Sequence, residues 1–140
     1  MAGVLQLEVA TPERLLLKEQ VLQVQVPGLD GEMGILPEHA ALLSELGSGP
    51  LVYTLEDGNR KCMSICGGYV EVLPDRVRVL ATRAEQADEI DAKRAEDALK
   101  RAEERLAHPT AEMDISRALN AMKRAQARIA AAKTLGVTRK

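Results

Sequence analysis

The sequence predicts an all-β N-terminal sandwich of short antiparallel strands, followed by a C-terminal antiparallel hairpin of two α-helices. Up to Gln86, apolar and polar residues alternate in short runs separated by Gly, Pro, Asp and Asn. Beyond that point the chain becomes rich in alanine, with 14 of its 20 alanines between Ala87 and Ala132. Charge divides at the same place, with 7 basic and 12 acidic residues before it and 12 basic and 9 acidic after it. We therefore divide the chain into a β-sandwich domain at 1–86 and a two-helix hairpin at 87–140.

Composition excludes several classes of function. Of 140 residues, 46 % are hydrophobic and 29 % charged, which is typical of a chain that folds in water. There are two Tyr and no Phe or Trp, so the core must be aliphatic and stacking platforms for single-stranded nucleic acid are excluded. A net charge of -2 also disfavours a generic binder of polyanions. We expect no nucleic-acid partner.

Neither membrane insertion nor a metal site is expected. The N-terminus alternates apolar and polar residues, unlike a signal peptide, and no run approaches the ~18 apolar residues of a membrane helix. Cys62 and Cys66 would face the same side of a strand roughly 13 Å apart, which predicts two reduced thiols rather than a disulfide. The two histidines, His39 and His108, lie in different segments, which argues against a shared metal.

The β segment is predicted as short strands separated by turns. Alternating apolar residues predict strands at 5–9, 15–17, 21–26, 49–55, 61–65, 68–73 and 76–81, with a turn-rich stretch at 26–43. The alternation over 70–72 and 77–79 predicts an antiparallel meander. Gly28, Gly31 and Gly34 are spaced by threes, which matches no phosphate-binding loop and indicates turns. With two histidines and no catalytic motif, we predict no catalytic residues.

The first helix is predicted to begin at Asp88 as N-cap and to end at Ala107, before His108 and Pro109. Its apolar seam follows helical spacing, at Ala92, Ala95, Leu99, Ala102 and Leu106. Thr110 or Asp114 would cap the second helix, which is predicted to end near Leu135 and Gly136. The seam of that helix comprises Ala118, Met122, Ala125, Ile129 and Ala132. Because both seams are mostly Ala, they bury little area and we expect the hairpin to open readily.

Arginines follow one face of each predicted helix. Arg94 and Arg101 are seven residues apart on the first, and Arg117, Arg124 and Arg128 share a face of the second. In an antiparallel hairpin the two rows would converge into an anion site, since guanidinium groups match phosphate oxygens. The alternative is a solvated face with ordinary ion pairs to Glu96, Glu103 and Glu104. Spacing leaves both interpretations open.

The whole chain resembles the ε subunits of bacterial F-type ATP synthases. The resemblance rests on V-P-G-L-D-G-E-M-G-I-L-P-E-H-A-A-L-L at 26–43, on G-G-Y-V-E-V at 67–72 and on the Ala/Arg-rich hairpin. It implies a non-catalytic rotor subunit of the central stalk, which couples proton translocation to ATP synthesis. Its sandwich would contact the γ subunit and the c-subunit ring, and its hairpin would either fold back or extend among the α and β subunits of the head to inhibit ATP hydrolysis. The implied location is the cytoplasmic side of the bacterial cell membrane, peripherally attached.

The same resemblance implies a regulatory ATP site, with no cofactor required. I-D-A-K-R-A at 90–95 is similar to a motif of those members whose folded hairpin binds ATP. The matching site residues are Glu85, Ile90, Asp91, Arg94, Arg101, Arg124 and Arg128. Ile90 and Asp91 would meet the adenine, and the arginines would meet the ribose and phosphates. Glu32 and His39 fall where the family contacts the c-ring, with polar residues in exposed turns as the alternative.

Two other classes of protein fit parts of the sequence. A free-standing β-sandwich scaffold would use the basic hairpin to bind a partner protein or nucleic acid, but it would leave the acidic β segment without a role. A phosphotransfer enzyme would need a phosphate loop and metal-binding carboxylates, and neither pattern is present in the sequence. The resemblance therefore favours a stalk subunit.

Overall fold

The computed structural model describes residues 3–134, and it confirms the predicted fold class. Six strands come first: β1 (Leu5–Ala10), β2 (Leu15–Gly28), β3 (Gly31–Ile35), β4 (Leu42–Leu55), β5 (Arg60–Leu73) and β6 (Arg76–Gln86). A 3₁₀ turn at Ala87–Glu89 leads into helices α1 (Ala92–Ala107) and α2 (Ile115–Lys133).

The strands form a single sheet that closes on itself. Their order is β1-β6-β5-β4-β2-β3, and β1 also pairs with β2, which completes a barrel-like sandwich. The β1–β6 pair is parallel and all others are antiparallel, including the predicted β5–β6 meander. Closure protects most strand edges from pairing with another chain.

The sandwich core is aliphatic, as the composition predicts. Its buried residues are Leu5, Leu7, Val9, Val21, Val24, Val26, Ile35, Leu46, Leu51, Tyr53, Met63, Ile65, Val70, Val72, Val77, Val79 and Ala81. Every one of them lies on a strand. Because the helices contribute no buried residue to this cluster, the core is complete without the hairpin.

The predicted strand boundaries require several corrections, among them the start of β4 at Leu42 instead of Gly49 and the end of β6 at Gln86 instead of Ala81. Residues 26–43 contain a strand, β3, which forms a tight hairpin with β2 through the register pair Gly28 and Gly31. Runs predicted as separate strands at 15–17 and 21–26 form one strand, as do those at 61–65 and 68–73. Glycine and polar residues interrupt the apolar alternation, so the sequence pattern does not show that these strands are continuous. Hydrogen bonds to neighbouring strands override the weak strand propensity of such residues.

Two adjacent glycines change the inward-facing side of β5. Met63 and Ile65 lie in the core before them, and Val70 and Val72 lie in it after them, so the alternation shifts by one residue. Gly67 and Gly68 have φ of 71° and 119°, a region that favours glycine. As a result, the outer face of β5 carries Cys62, Ser64 and Cys66 on one side of the shift and Tyr69 and Glu71 on the other.

Replacing Gly68 with alanine is expected to destabilise the sandwich by about 3 kcal/mol, because its φ is left-handed and an added Cβ would overlap the Leu80 carbonyl oxygen. Gly34→Ala is the matched control, since a Cβ there meets nothing within 4 Å. We expect the control to change the free energy of unfolding by less than about 0.5 kcal/mol. Urea unfolding of both variants measures the difference, and equal stabilities would contradict this view of β5.

Asp91, not Asp88, caps the first helix. Its carboxylate accepts a hydrogen bond from the Arg94 backbone N–H at 3.1 Å. Asp88 lies instead in the 3₁₀ turn, because the chain must extend at Ile90 to bury that side chain before the helix begins. Asp114, one of the two predicted caps, begins α2 by the same contact with the Arg117 N–H.

The two helices pack through the predicted alanine seams. Ala95 and Ala102 of α1 are buried, as are Ala118, Ala125 and Ala132 of α2. The buried Ala127 and Ala131 were not predicted, and Ala131 packs against the sheet at Val52 and Cys62. Helix α2 therefore contacts both α1 and strands β4 and β5. The predicted end at Leu135 and Gly136 lies outside the described residues.

Candidate functional site

A cavity of about 650 Å³ lies between the hairpin and the sandwich. Its size is within the range of small-molecule sites. The lining residues come from the β1–β2 turn, β2, β5, β6 and both helices: Thr11, Glu13, Arg14, Leu16, Ser64, Cys66, Thr82, Arg83, Ala84, Glu85, Ala98, Arg101, Ala102, Arg105, Ala121, Arg124, Ala125 and Arg128. Since both domains supply walls, the cavity exists only while the hairpin is docked.

Four of the seven predicted nucleotide-site residues line this cavity. Glu85 lies on β6, in register with Ser64 of β5. Arg101 comes from α1, and Arg124 and Arg128 come from α2. The predicted convergence of the arginine rows is therefore present in part: Arg101, Arg124 and Arg128 line one cavity, whereas Arg94 and Arg117 do not.

An ion pair joins the hairpin to the sandwich inside the cavity. The Arg128 Nε donates to a Glu85 carboxylate oxygen at 2.5 Å, and each side chain is about one-third exposed. Because the pair is partly solvated, its contribution to stability is modest. It fixes α2 against β6 and leaves the guanidinium with further donors for a ligand.

The cavity carries a large excess of positive charge. Six arginines and two glutamates line it, and among the described residues only Arg128 of those six has a carboxylate within 4 Å. Guanidinium groups present paired donors that match phosphate or carboxylate oxygens. A lining of this composition would suit an anionic ligand.

The other three predicted residues lie beside the cavity rather than in its lining. Ile90 is half-buried against Val52, Cys62 and Ala131. The Asp91 carboxylate caps α1 and is exposed. Arg94 is exposed one helical turn before Ala98, on the face that carries Arg101. The structure thus separates these three residues from the four that line the cavity.

Three further arginines, which were not predicted from the sequence as site residues, line the cavity. Arg105 follows Arg101 by four residues on the same helical face, and Arg83 precedes Glu85 by two on the same strand face. Periodicity around the selected residues would have found both. Arg14 comes from the β1–β2 turn, and no local pattern places that turn beside the helices.

Cys62 is buried where the hairpin covers the sheet. It packs with Val52, Ala87 and Ala131, with Ile90 at the edge of the cluster. Burial raises the pKa of the Cys62 thiol to about 11, and a hydrogen bond with Thr134 opposes that rise. Both cysteines are free, as predicted, and Cys66 lines the cavity. The docked hairpin therefore shields the Cys62 thiol, and its burial there further favours the protonated form.

Two apolar surfaces of the sandwich are exposed away from the hairpin. On the outer sheet face, Tyr69 and Leu80 are cross-strand partners, 54 % and 52 % exposed, beside a groove bounded by Pro12. Next to them, Arg78 lies 3.7 Å from both Glu8 and Glu71. An apolar patch with a polar rim is typical of a protein interface.

The loops around β3 form the second of these surfaces. Leu29 and Leu36 flank β3 and are strongly exposed. Glu32 is exposed on β3 itself, and His39 lies in the following loop, with its Nδ1 2.8 Å from the Ala40 carbonyl oxygen. Glu32 and His39, the two residues predicted to contact the c-ring, therefore lie in the same loop region as the exposed apolar side chains of Leu29 and Leu36.

The described residues offer neither a metal site nor a membrane-spanning helix. Within residues 3–134, no three His, Cys, Asp or Glu side chains cluster in a way that would hold a metal ion. Neither α1 nor α2 combines the length and apolar character that crossing a membrane requires.

Comparison with known proteins matches two family descriptions. Residues 4–87 match "ATP synthase, Delta/Epsilon chain, beta-sandwich domain", and residues 88–133 match "ATP synthase, Delta/Epsilon chain, long alpha-helix domain". A relative from Solibacter usitatus named "ATP synthase epsilon chain" is 52 % identical over 78 % of this chain and 81 % of its own. One of the same name from Koribacter versatilis is 47 % identical over 76 % and 74 %.

Solved structures share the fold at low identity. A chain of the Euglena gracilis mitochondrial ATP synthase (OSCP/F1/c-ring) superimposes with a TM-score of 0.78 and 24 % identity, covering 86 % of this chain and 76 % of that one. A chain of the central stalk and c-ring of the Tetrahymena thermophila mitochondrial ATP synthase gives 0.53 and 16 %, covering 91 % and 92 %. At these identities the likeness concerns the fold alone.

Proposed function

The chain belongs to the ATP synthase delta/epsilon family, and from this premise we propose that it is the non-catalytic ε-type subunit of the central stalk of an F-type ATP synthase. The two family matches together span residues 4–133, so both the sandwich and the hairpin have counterparts in the family. This coverage of both parts of the chain is the observation that carries the proposal. It disfavours the alternatives, a free-standing scaffold and a nucleic-acid binder. As a rotor subunit, the chain would couple proton translocation to ATP synthesis.

The sandwich would attach the subunit to its partners. The outer face around Tyr69 and Leu80 fits a γ subunit, because it is apolar, exposed and free of the hairpin. The loops carrying Glu32 and His39, with Leu29 and Leu36 beside them, would meet the c-subunit ring. Attachment through these partners places the chain peripherally on the cytoplasmic side of a bacterial membrane.

A double substitution, Tyr69→Asp with Leu80→Asp, is expected to weaken binding to the γ subunit at least about tenfold, because it places charge in a desolvated interface. Ile115→Asp is the matched control, since this residue is also 52 % exposed but begins α2, away from that face. Pull-down of purified γ with each variant measures the effect. Equal binding by the double variant and the control would exclude this face as the contact.

The hairpin would regulate the complex through ATP. The cavity between the domains supplies several arginines for phosphates, and the family motif assigns the adenine to Ile90 and Asp91, which lie outside its lining. A ligand that binds only the docked hairpin stabilises it by RT ln(1 + [L]/Kd), ~2.7 kcal/mol at a hundredfold excess over Kd. When ATP is scarce, the hairpin would extend among the α and β subunits and inhibit hydrolysis.

The alanine seam makes such a switch feasible. Small side chains let α1 and α2 approach closely but bury little area, so separating the two helices costs less free energy than for a leucine seam. The core of the sandwich loses nothing when the hairpin leaves, because every core residue is on a strand. A ligand contribution of a few kcal/mol therefore suffices to set the position of the hairpin.

A further inference from the structure

The sandwich supplies two arginines to the cavity, Arg14 and Arg83. Arg14 closes the β1–β2 turn, where its carbonyl oxygen accepts a 2.9 Å hydrogen bond from the Thr11 N–H. Arg83 lies on β6, in register with Cys66, on the face that carries Glu85. Both backbones belong to the closed sheet or its tight turn, so these charges stay in place when the hairpin moves.

The docked hairpin brings four arginines against that wall. Arg101 and Arg105 come from α1, and Arg124 and Arg128 come from α2. Two glutamates, Glu13 and Glu85, offset this charge, and Glu85 is already paired with Arg128. Like charges that face one another across a partly closed cavity repel, so docking without an anion works against this repulsion.

We propose that Arg14 and Arg83 make docking of the hairpin depend on a bound polyphosphate, which the two walls hold between them. This inference rests on the proposed ATP-binding function and assigns the sandwich an active part in it. Without the anion, the two arginines repel the hairpin. With it, they donate to the same phosphate group as the hairpin arginines, and the ligand joins the domains.

A ligand held by the hairpin alone would act differently. It would keep α1 and α2 together without joining them to the sheet, so docking would rest on the Glu85–Arg128 pair and on the packing of Ala131 against the sheet. A ligand that contacts Arg14 and Arg83 connects α1 and α2 to β6 and the β1–β2 turn. The bridging arrangement therefore turns binding directly into docking, which a signal of ATP concentration requires.

The test compares the full-length chain with the double variant Arg14→Ala/Arg83→Ala. Arg60→Ala is the matched control, because Arg60 is an exposed arginine of the sandwich outside the cavity lining. Calorimetric titration with ATP should give an affinity at least about tenfold weaker for the double variant, since it loses two charge-assisted contacts. The control should bind as the unmodified chain does.

The second measurement is hydrogen exchange of α2 amides without nucleotide. Removing the repulsion should slow exchange in the double variant, because its hairpin stays docked more of the time. A merely structural role for the two arginines would speed exchange instead. The expected signature is thus weaker ATP binding together with firmer docking in its absence.

The two measurements together test the role of Arg14 and Arg83. Unchanged ATP affinity in the double variant, or exchange without nucleotide as fast as in the unmodified chain, overturns this inference. If Arg101→Ala abolishes binding while the double variant binds normally, the ATP site stands and only the role of Arg14 and Arg83 falls. If the unmodified chain does not bind ATP, both the inference and the proposed sensing function fail.

Discussion

Deleting residues 87–140 is expected to raise ATP hydrolysis by the reconstituted complex on the order of two- to tenfold, because in the proposed mechanism complexes with an inserted hairpin do not hydrolyse ATP and the deletion would activate them. Assembly should be unaffected. The sandwich core contains no helical residue, and the exposed face around Tyr69 and Leu80 lies outside the hairpin contact. Steady-state hydrolysis by complexes of equal subunit composition measures the effect.

The matched control for the deletion keeps both helices but blocks their extension. A disulfide or cross-linker that fixes α2 to the sheet should raise hydrolysis to the same level as the deletion, since the hairpin then cannot reach the head. An unchanged rate in both preparations would rule out an inhibitory role for the hairpin. Loss of assembly in the deletion alone would show that the hairpin contributes to attachment.

Substituting Arg101 or Arg124 with alanine is expected to weaken ATP binding at least about tenfold, because each removes a charge-assisted contact from the cavity. Arg117→Ala is the control, since Arg117 is an exposed arginine of α2 that does not line the cavity. Calorimetric titration of each full-length variant with ATP measures the affinities. A uniform loss in all three would indicate a general charge effect rather than a site.

The Arg94→Ala variant distinguishes a nucleotide site that is confined to the cavity from one that extends to Ile90 and Asp91. If the nucleotide stays within the cavity, this variant should bind ATP nearly as the unmodified chain does, because Arg94 lies outside the lining. If the site extends to Ile90 and Asp91, as the family motif implies, the affinity should fall as it does for Arg101→Ala. Absence of heat from the unmodified chain at millimolar ATP would refute the sensing role altogether.

Periodicity predicted most of the helical hairpin and the centre of the strands. The seams at Ala95, Ala102, Ala118 and Ala125 follow from 3.6-residue spacing, because burial of one helical face leaves a strong pattern. The predicted N-cap of the first helix was wrong because both Asp88 and Asp91 are acceptable N-caps. The partial burial of Ile90 selects Asp91. That burial depends on Val52 and Cys62, which lie far away in the sequence.

The rest of the fold and of the cavity depends on contacts between distant segments. Strand β3 escaped prediction because Gly31 and Gly34 have weak strand propensity, and pairing with β2 supplies what propensity lacks. Arg14 joins the cavity only because β1 pairs with both β2 and β6, which sets the first turn beside the helices. Neither the closure of the sheet nor the position of the hairpin on it leaves a local pattern.

The most direct test of ATP-dependent docking uses Cys62 as a reporter in a Cys66→Ser variant, where it is the only thiol. The docked hairpin shields this thiol and raises its pKa, so alkylation near neutral pH requires undocking. If ATP binds only the docked form, a hundredfold excess over Kd should slow alkylation about a hundredfold, and at the same ATP concentration Arg124→Ala should reduce that protection to about tenfold or less. Alkylation at the same rate with and without bound ATP would contradict a hairpin whose position depends on the nucleotide.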